Sequence, residues 1–437
     1  MKLSNYVRVL NKNSKSIVLL NTIDKSIVEL ERKYFQASNN YELIDTLPDD
    51  IYNALNDMGY FIDDNKAVDL IKTALQRDEK LIISVETTLD CNLRCPYCYQ
   101  GLNKESKQLS DENIDLLIEY FRVVYEKKPY NELVLKILGG EPTIVWKKTK
   151  SIIDKAYEFC KENGVLLSLM IDTNGAIIKD ILDLNTYNSL LLTIPLTYKN
   201  RHDAMRKFAN GIGTYDIIIE NVNKIHELKP EVTIVLRHNT DAENINDFEQ
   251  YISDLNSKLN HIPIIDLSYT TEIGDNNYIN DLSYEDYKNW KTTEATDILI
   301  KYGFYVMTSP LMSMDRCQYR SKYSLKIFSD GTVGPCAMWF FKQKRYTIKE
   351  LINNIAIAEA FYENNEKRTE KCKTCYSFFL CNCSYTLPCI QSLRLHECEK
   401  DGEFSIHLET FVKKYMQYAE TGKGDLFVGF TQAFPIR

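Results

Sequence analysis

Two hydrophobic periodicities divide the chain. Within residues 1 to 80, apolar runs at Tyr6 to Leu10 and Ser16 to Leu20 flank the polar stretch Asn11-Lys12-Asn13-Ser14, which predicts a β-hairpin. Helical spacing continues at Lys25 to Tyr34, at Asp49 to Met58 between Pro48 and Gly59, and at Lys66 to Arg77. A hairpin with packed helices predicts a winged-helix-like α+β module, or a simple N-terminal cap on the main domain. From residue 81 the pattern changes. Leu81 to Val85, Leu133 to Leu138, Leu166 to Ile171, Leu190 to Ile194, Val232 to Leu236 and Ile264 to Tyr269 read as buried strands. Amphipathic stretches at Asp111 to Tyr125, Lys148 to Asn163, Tyr215 to Leu228 and Ile245 to Leu259 read as helices between them. Strands alternating with helices imply parallel βα units, so residues 81–309 are expected to form a partial or closed α/β barrel with its chemistry at the strand C-termini.

Composition narrows the function classes. With 437 residues and 44% hydrophobic content the chain can bury a full catalytic core and further modules. Lys and Arg total 53 against 61 Asp and Glu, a formal charge of -8, and no basic stripe offers a nucleic-acid surface. Polar residues interrupt the first eleven positions where a signal peptide needs an apolar core. No segment reaches the roughly 18 uninterrupted apolar residues of a membrane span. A cytoplasmic protein without a membrane partner is expected, and in that reducing compartment its 12 cysteines argue for metal ligation over disulfides.

The first strand leads into Thr87-Thr88-Leu89-Asp90-Cys91-Asn92-Leu93-Arg94-Cys95-Pro96-Tyr97-Cys98-Tyr99. A structural zinc site takes four protein ligands, often from paired C-x2-C knuckles or Cys/His mixtures. Here there are three thiols and no His. An iron-sulfur cubane takes one thiolate per iron, so Cys91, Cys95 and Cys98 would leave one iron open to a ligand. The second strand runs into Gly139-Gly140-Glu141-Pro142, where two glycines permit close approach to the backbone. The third ends in Asp172-Thr173-Asn174-Gly175, which also reads as a simple turn. After the fourth comes His202-Asp203-Ala204-Met205-Arg206. Past residue 310 stand Cys317, Cys336, Cys372, Cys375, Cys381, Cys383, Cys389 and Cys398. The remaining Cys160 follows Ile152 and Ala156 at helical spacing and reads as core. Glu86 and Tyr99 are possible proton carriers at the rim, but no residue is singled out as a catalytic acid or base.

The C-x3-C-x2-C loop resembles the signature of the radical S-adenosylmethionine (radical SAM) superfamily. The resemblance implies a partial (β/α)6 barrel whose [4Fe-4S] cluster is held by Cys91, Cys95 and Cys98, with SAM on the open iron. It implies that Gly139, Gly140 and Glu141 contact the methionine part of SAM, that Thr173 and Asn174 stand beside the pocket, and that Arg206 lies near SAM. Tyr97 would pack on the adenine or merely fill the loop. The Ser-Leu-Asp-Gly that usually precedes the His-Asp-x-x-Arg element is replaced by Ile194-Pro195-Leu196-Thr197.

The later cysteines resemble the SPASM domain of peptide-modifying radical SAM enzymes, here spanning residues 310–437 with a C-terminal helix. That resemblance implies two auxiliary iron-sulfur clusters of the [4Fe-4S] kind. Cys372, Cys375, Cys381 and Cys398 would hold one, and Cys317 and Cys336 with Cys383, Cys389 or both the other. The usual C-x3-C step after Cys381 is absent, which keeps a double zinc ribbon as the competing reading. The activity implied is hydrogen abstraction by a 5′-deoxyadenosyl radical, served by an electron donor such as flavodoxin or ferredoxin. Residues 1–80 would hold the leader of a ribosomally made precursor peptide whose core is cross-linked through a thioether or carbon-carbon bond. The alternatives are an anaerobic sulfatase-maturing enzyme, which in that family begins close to its first Cys motif, and a non-catalytic iron-sulfur scaffold.

Overall fold

The computed structural model describes residues 2–11, 14–24, 26–36, 42–63, 65–67, 69–70, 80–98, 100, 106–185, 187–270, 278–307, 318, 323–335, 345–363, 401–428 and 433–435. Two compact units emerge, one built from residues 1–77, 307–317 and 364–437, the other from residues 78–306 and 318–363.

The first unit begins with an antiparallel meander of β1 (Val7–Asn11), β2 (Ser16–Asn21) and β3 (Ile27–Glu31). Every residue of β2 is buried, as befits a strand flanked on both sides. Helix α1 (Asp49–Asp57) starts after Pro48 with Asp49 and Asp50 in its first turn, where the helix dipole favours negative charge. It stops at Gly59, whose φ of +72° suits the left-handed position that ends a helix. Ile51 and Leu55 of α1 join Ile17, Leu19, Val28 and Leu30 of the sheet in one apolar core. The helix expected over Lys25 to Tyr34 is instead β3 followed by a 3-10 turn at Arg32–Tyr34. Apolar residues at 27, 28 and 30 suit either period. Pairing decides the matter, because Ile27 to Leu30 lie opposite Leu20 to Ile17 and complete the sheet. Strand Ala433–Pro435 adds in parallel to the other side of β3. Of the helix expected over Lys66 to Arg77, residues 68 and 71–77 lie outside the described residues.

The second unit carries six parallel strands in chain order: β4 (Lys80–Glu86), β5 (Glu132–Leu138), β6 (Leu166–Asp172), β7 (Ser189–Pro195), β8 (Thr233–Thr240) and β9 (Ile264–Tyr269). The outer strands do not pair with each other. β9 continues to β10 (Val306–Met307) and β4 to β11 (Leu325–Ile327), so of the partial and closed barrels that the sequence pattern allowed the partial one forms, as the family resemblance implies. Crossover helices α2 (Asp111–Lys127), α3 (Trp146–Asn163), α4 (Lys179–Leu182), α5 (Lys199–Met205), α6 (Tyr215–Leu228) and α7 (Phe248–Lys258) come in turn. Ser110 caps α2 by accepting the Asn113 amide at 3.2 Å. Buried Ile152, Ala156 and Cys160 line one face of α3, so Cys160 is a core residue. Burial pushes its thiol up to about 12.

The addition of β11 has a consequence at the barrel mouth. Lys326 sits opposite Ser84, and its buried ammonium pairs with Glu86 at 3.1 Å while standing 4.3 Å over the Phe328 ring. Ser329 adds two hydrogen bonds to the same carboxylate, from its amide at 3.2 Å and its hydroxyl at 3.0 Å. Glu86 is therefore committed to joining β4 to β11.

Candidate active site at the barrel rim

The Cys loop leaves β4 already zipped to its neighbour. The β4–β5 ladder continues past the strands: the Thr87 amide donates to Leu138 O at 2.9 Å, Gly140 to Thr88 O at 2.8 Å and Glu141 to Asp90 O at 2.8 Å. A Cβ on Gly139 would lie 2.7 Å from Thr88 O, and one on Gly140 only 2.0 Å from Asp90 O. The two glycines are thus required by the backbone of the Cys loop itself, a reason beyond any ligand. Within the loop, Cys91 N donates to Asp90 Oδ1 at 2.8 Å, Leu93 N to Cys91 Sγ at 3.4 Å, and Cys98 N to Cys95 O at 3.1 Å. All three thiols are half-buried. Among the described residues no three His, Cys, Asp or Glu side chains are gathered around a single-ion site.

Glu141 is completely buried. One carboxylate oxygen accepts from Thr143 N at 3.1 Å, Thr143 Oγ1 at 2.7 Å and Thr173 Oγ1 at 2.8 Å; the other accepts from Asn174 N at 2.6 Å. Burial pushes its pKa up, and the bonds from Asn174, Thr143 and Thr173 pull the other way. Its carboxylate fastens the end of β5 to the end of β6. Asn174 reaches on to the Cys loop, donating from Nδ2 to Asn92 Oδ1 at 2.7 Å. The Asn-Gly step is also a turn in earnest: Gly175 has φ +76°, and a Cβ there would meet Ile194 Cγ2 at 2.6 Å.

Arg206, at the end of α5, closes the ring of contacts. It is buried, and a guanidinium nitrogen donates to Tyr97 Oη at 3.1 Å. Burial raises the Tyr97 phenol, against the pull of the Arg206 charge. The Tyr97 ring meets Tyr278 edge-on at 5.7 Å, and Tyr278 donates to Asp241 at 2.6 Å. The residues after Arg206 hold the Cys loop directly: Arg94 N donates to Lys207 O at 3.1 Å, and Leu93 bridges Phe208.

The residues that the family resemblance assigns to the cluster and SAM between Cys91 and Arg206 therefore share the C-terminal rim of β4 to β7. Tyr99 lies outside the described residues, as do Cys317, Cys336, Cys372, Cys375, Cys381, Cys383, Cys389 and Cys398. Asn92, Tyr278 and Lys326 carry weight that no sequence motif announced. The set suits a cluster with an amino-acid-bearing ligand. Three thiols share one loop, and two buried donors beside it, Arg206 Nε and Asn92 Nδ2, have no protein partner among the described residues. A buried guanidinium with a donor to spare fits the carboxylate of such a ligand.

Comparison with known proteins agrees with this geometry. Residues 85–255 match the sequence profile of the Radical SAM superfamily. A 7,8-dihydro-6-hydroxymethylpterin dimethyltransferase of Methanocaldococcus jannaschii is 27% identical over 33% of this chain, which spans only 28% of that protein. A protein of the same organism named as a glycyl-radical enzyme activating enzyme is 26% identical over 49% of this chain and 76% of its own length. Among solved structures, anSMEcpe with bound AdoMet and the Cp18Cys peptide superposes with a TM-score of 0.52 at 17% identity, covering 79% of this chain and 99% of its own. Streptococcus suis SuiB bound to S-adenosylmethionine gives 0.50 at 14% identity, covering 91% and 97%. Likeness at these identities establishes the shared fold.

Proposed function

From the premise that residues 85–255 form a radical SAM domain, we propose that the protein is a maturase of a ribosomally synthesised precursor peptide, forming a thioether or carbon-carbon cross-link in it. The observation that carries the reading is the single rim on which the three-Cys loop, Gly139-Gly140-Glu141, Thr173-Asn174 and Arg206 are tied to one another by hydrogen bonds. Cys91, Cys95 and Cys98 would hold the [4Fe-4S] cluster, and Arg206, Asn92 and Tyr97 would line the SAM side. When bound and reduced, the cluster supplies the electron that cleaves SAM. The chain's own part is to hold the loop rigid, present donors to the ligand's carboxylate and keep water out.

The peptide assignment draws on the neighbours. SuiB has been solved with the precursor peptide SuiA and anSMEcpe with a peptide, and SuiB covers the larger share of this chain. In the first unit, β1 stands at an end of its sheet order, the position at which an extended leader could add as a further strand. The eight later cysteines would hold two auxiliary clusters, one of them accepting the second electron of cross-linking. A flavodoxin or ferredoxin would supply the first.

The test uses short open reading frames adjacent to the gene. Each encoded peptide is incubated anaerobically with reconstituted protein, SAM and reductant, and then weighed. A cross-link removes two hydrogens from the peptide and leaves fragments tied together in tandem mass spectra, and the leaderless core should bind at least tenfold more weakly than the full precursor. A product that instead reacts with hydrazide as an aldehyde, or equal binding with and without the leader, contradicts the proposal.

A further inference from the structure

The hydrogen bonds of His202 lead to the backbone that carries the Cys loop. The imidazole is completely buried behind the rim. Its Nδ1 accepts the Thr197 amide at 3.4 Å, and its Nε2 lies 3.0 Å from Thr214 Oγ1. Thr214 in turn donates its one hydroxyl proton to Arg206 O at 2.8 Å. That donation leaves the Thr214 oxygen only as an acceptor toward His202, so Nε2 must carry the ring proton. The Thr197 amide likewise requires a bare Nδ1. Both ends select the neutral Nε2–H tautomer, and a proton on Nδ1 would face an N–H head-on. Burial, helped by the Arg206 charge, lowers the His202 pKa well below its ordinary value.

The other end of the relay explains what the ring is for. Arg206 is fixed at its amide by His202 O at 2.6 Å and at its carbonyl by Thr214, so both backbone polar atoms of the residue are set by this one knot. From there the side chain reaches Tyr97, and the next two residues pair with Leu93 and Arg94 between Cys91 and Cys95. Asp203 secures the same turn, accepting the Tyr215 amide at 2.9 Å, and a Cβ on Gly213 would collide with its carboxylate. The substituted Ile194-Pro195-Leu196-Thr197 segment supplies the amide that orients the ring. That segment thus has a structural use in this chain.

We infer that His202, acting through Thr214, is a positioning residue that sets the Arg206–Tyr97 arm of the SAM site and the Cys91–Cys95 loop as one body. The inference rests on the assignment of SAM to this rim. Its test is the affinity of the iron-reconstituted full chain for S-adenosylhomocysteine, measured by equilibrium dialysis, together with 15N chemical shifts of the histidine rings. Thr214→Val removes the relay hydroxyl at nearly constant volume and is expected to weaken binding roughly tenfold, the effect of one lost buried hydrogen bond. Thr214→Ser keeps the hydroxyl and should bind within about twofold of the wild type. In the wild type, the His202 shifts should show a protonated Nε2 and a bare Nδ1. Wild-type affinity in Thr214→Val, or a protonated Nδ1 in the native protein, overturns the inference, and the ring shifts decide it even where the valine variant fails to fold. Failure of the wild type itself to bind the ligand would instead overturn the assignment of SAM to the rim.

Discussion

Gly140 is the residue at which one methyl group would matter most. Its missing Cβ is the space occupied by Asp90 O at 2.0 Å and Leu89 O at 2.6 Å, both backbone atoms that no rotamer change can move. Gly140→Ala should therefore push the Cys loop off β5 and destabilise the protein by about 1–3 kcal/mol, the usual cost of overpacking. Gly211→Ala is the fitting control. Nothing lies within 4 Å of a Cβ there, and the only penalty is its φ of +87°, about 1 kcal/mol. Melting curves and iron retained after reconstitution should rank Gly140→Ala well below Gly211→Ala, and the opposite order would contradict the zipped rim. At this scale the sequence was informative about chemistry and silent about support. Three thiols at fixed spacing and a Gly-Gly-Glu-Pro step at a strand end are legible without a structure. That the glycines answer to Asp90, that Glu141 joins two strands, and that Glu86 is held by Lys326 depend on contacts with other strands, one of them 240 positions away, which no local pattern encodes.

Among the elements, β8 carries a titratable load of its own. His238 is completely buried among the rings of Phe248, Tyr251 and Trp290, and among the described residues the one hydrogen bond of its ring joins Nδ1 to Thr240 at 2.9 Å. Burial pushes its pKa down from 6.5 to about 3. On acidification the unfolded chain takes up this proton first, so stability that is present above about 6.5 drains away as pH falls toward about 3. By pH 5 this residue alone should cost about 2 kcal/mol, and His202 acts in the same direction. Urea midpoints at pH 7 and pH 5 should show a marked loss in the wild type and a smaller one in His238→Phe, whereas equal losses would contradict the assignment. The elements themselves were readable where burial is two-sided. β4 and β5 are buried along most of their length, and Tyr215–Leu228 and Ile264–Tyr269 have the bounds their patterns imply. β3 was misread because five residues with apolar positions at 27, 28 and 30 satisfy both periods. The added strand β11 could not be foreseen, since three residues carry no period at all.

At the scale of the whole molecule, the rim of the partial barrel is tied together by hydrogen bonds among its own segments. No helix among the described residues is long and apolar enough to cross a membrane. The proposed function rests on Cys91, Cys95 and Cys98 holding a cluster able to reduce SAM. Protein reconstituted with iron and sulfide under anaerobic conditions, given SAM and dithionite, should release 5′-deoxyadenosine, quantified by chromatography. The variant with Cys91, Cys95 and Cys98 all changed to Ala should release none while losing about four of its irons. A wild-type protein that yields no 5′-deoxyadenosine, or a triple variant that still does, would contradict the account.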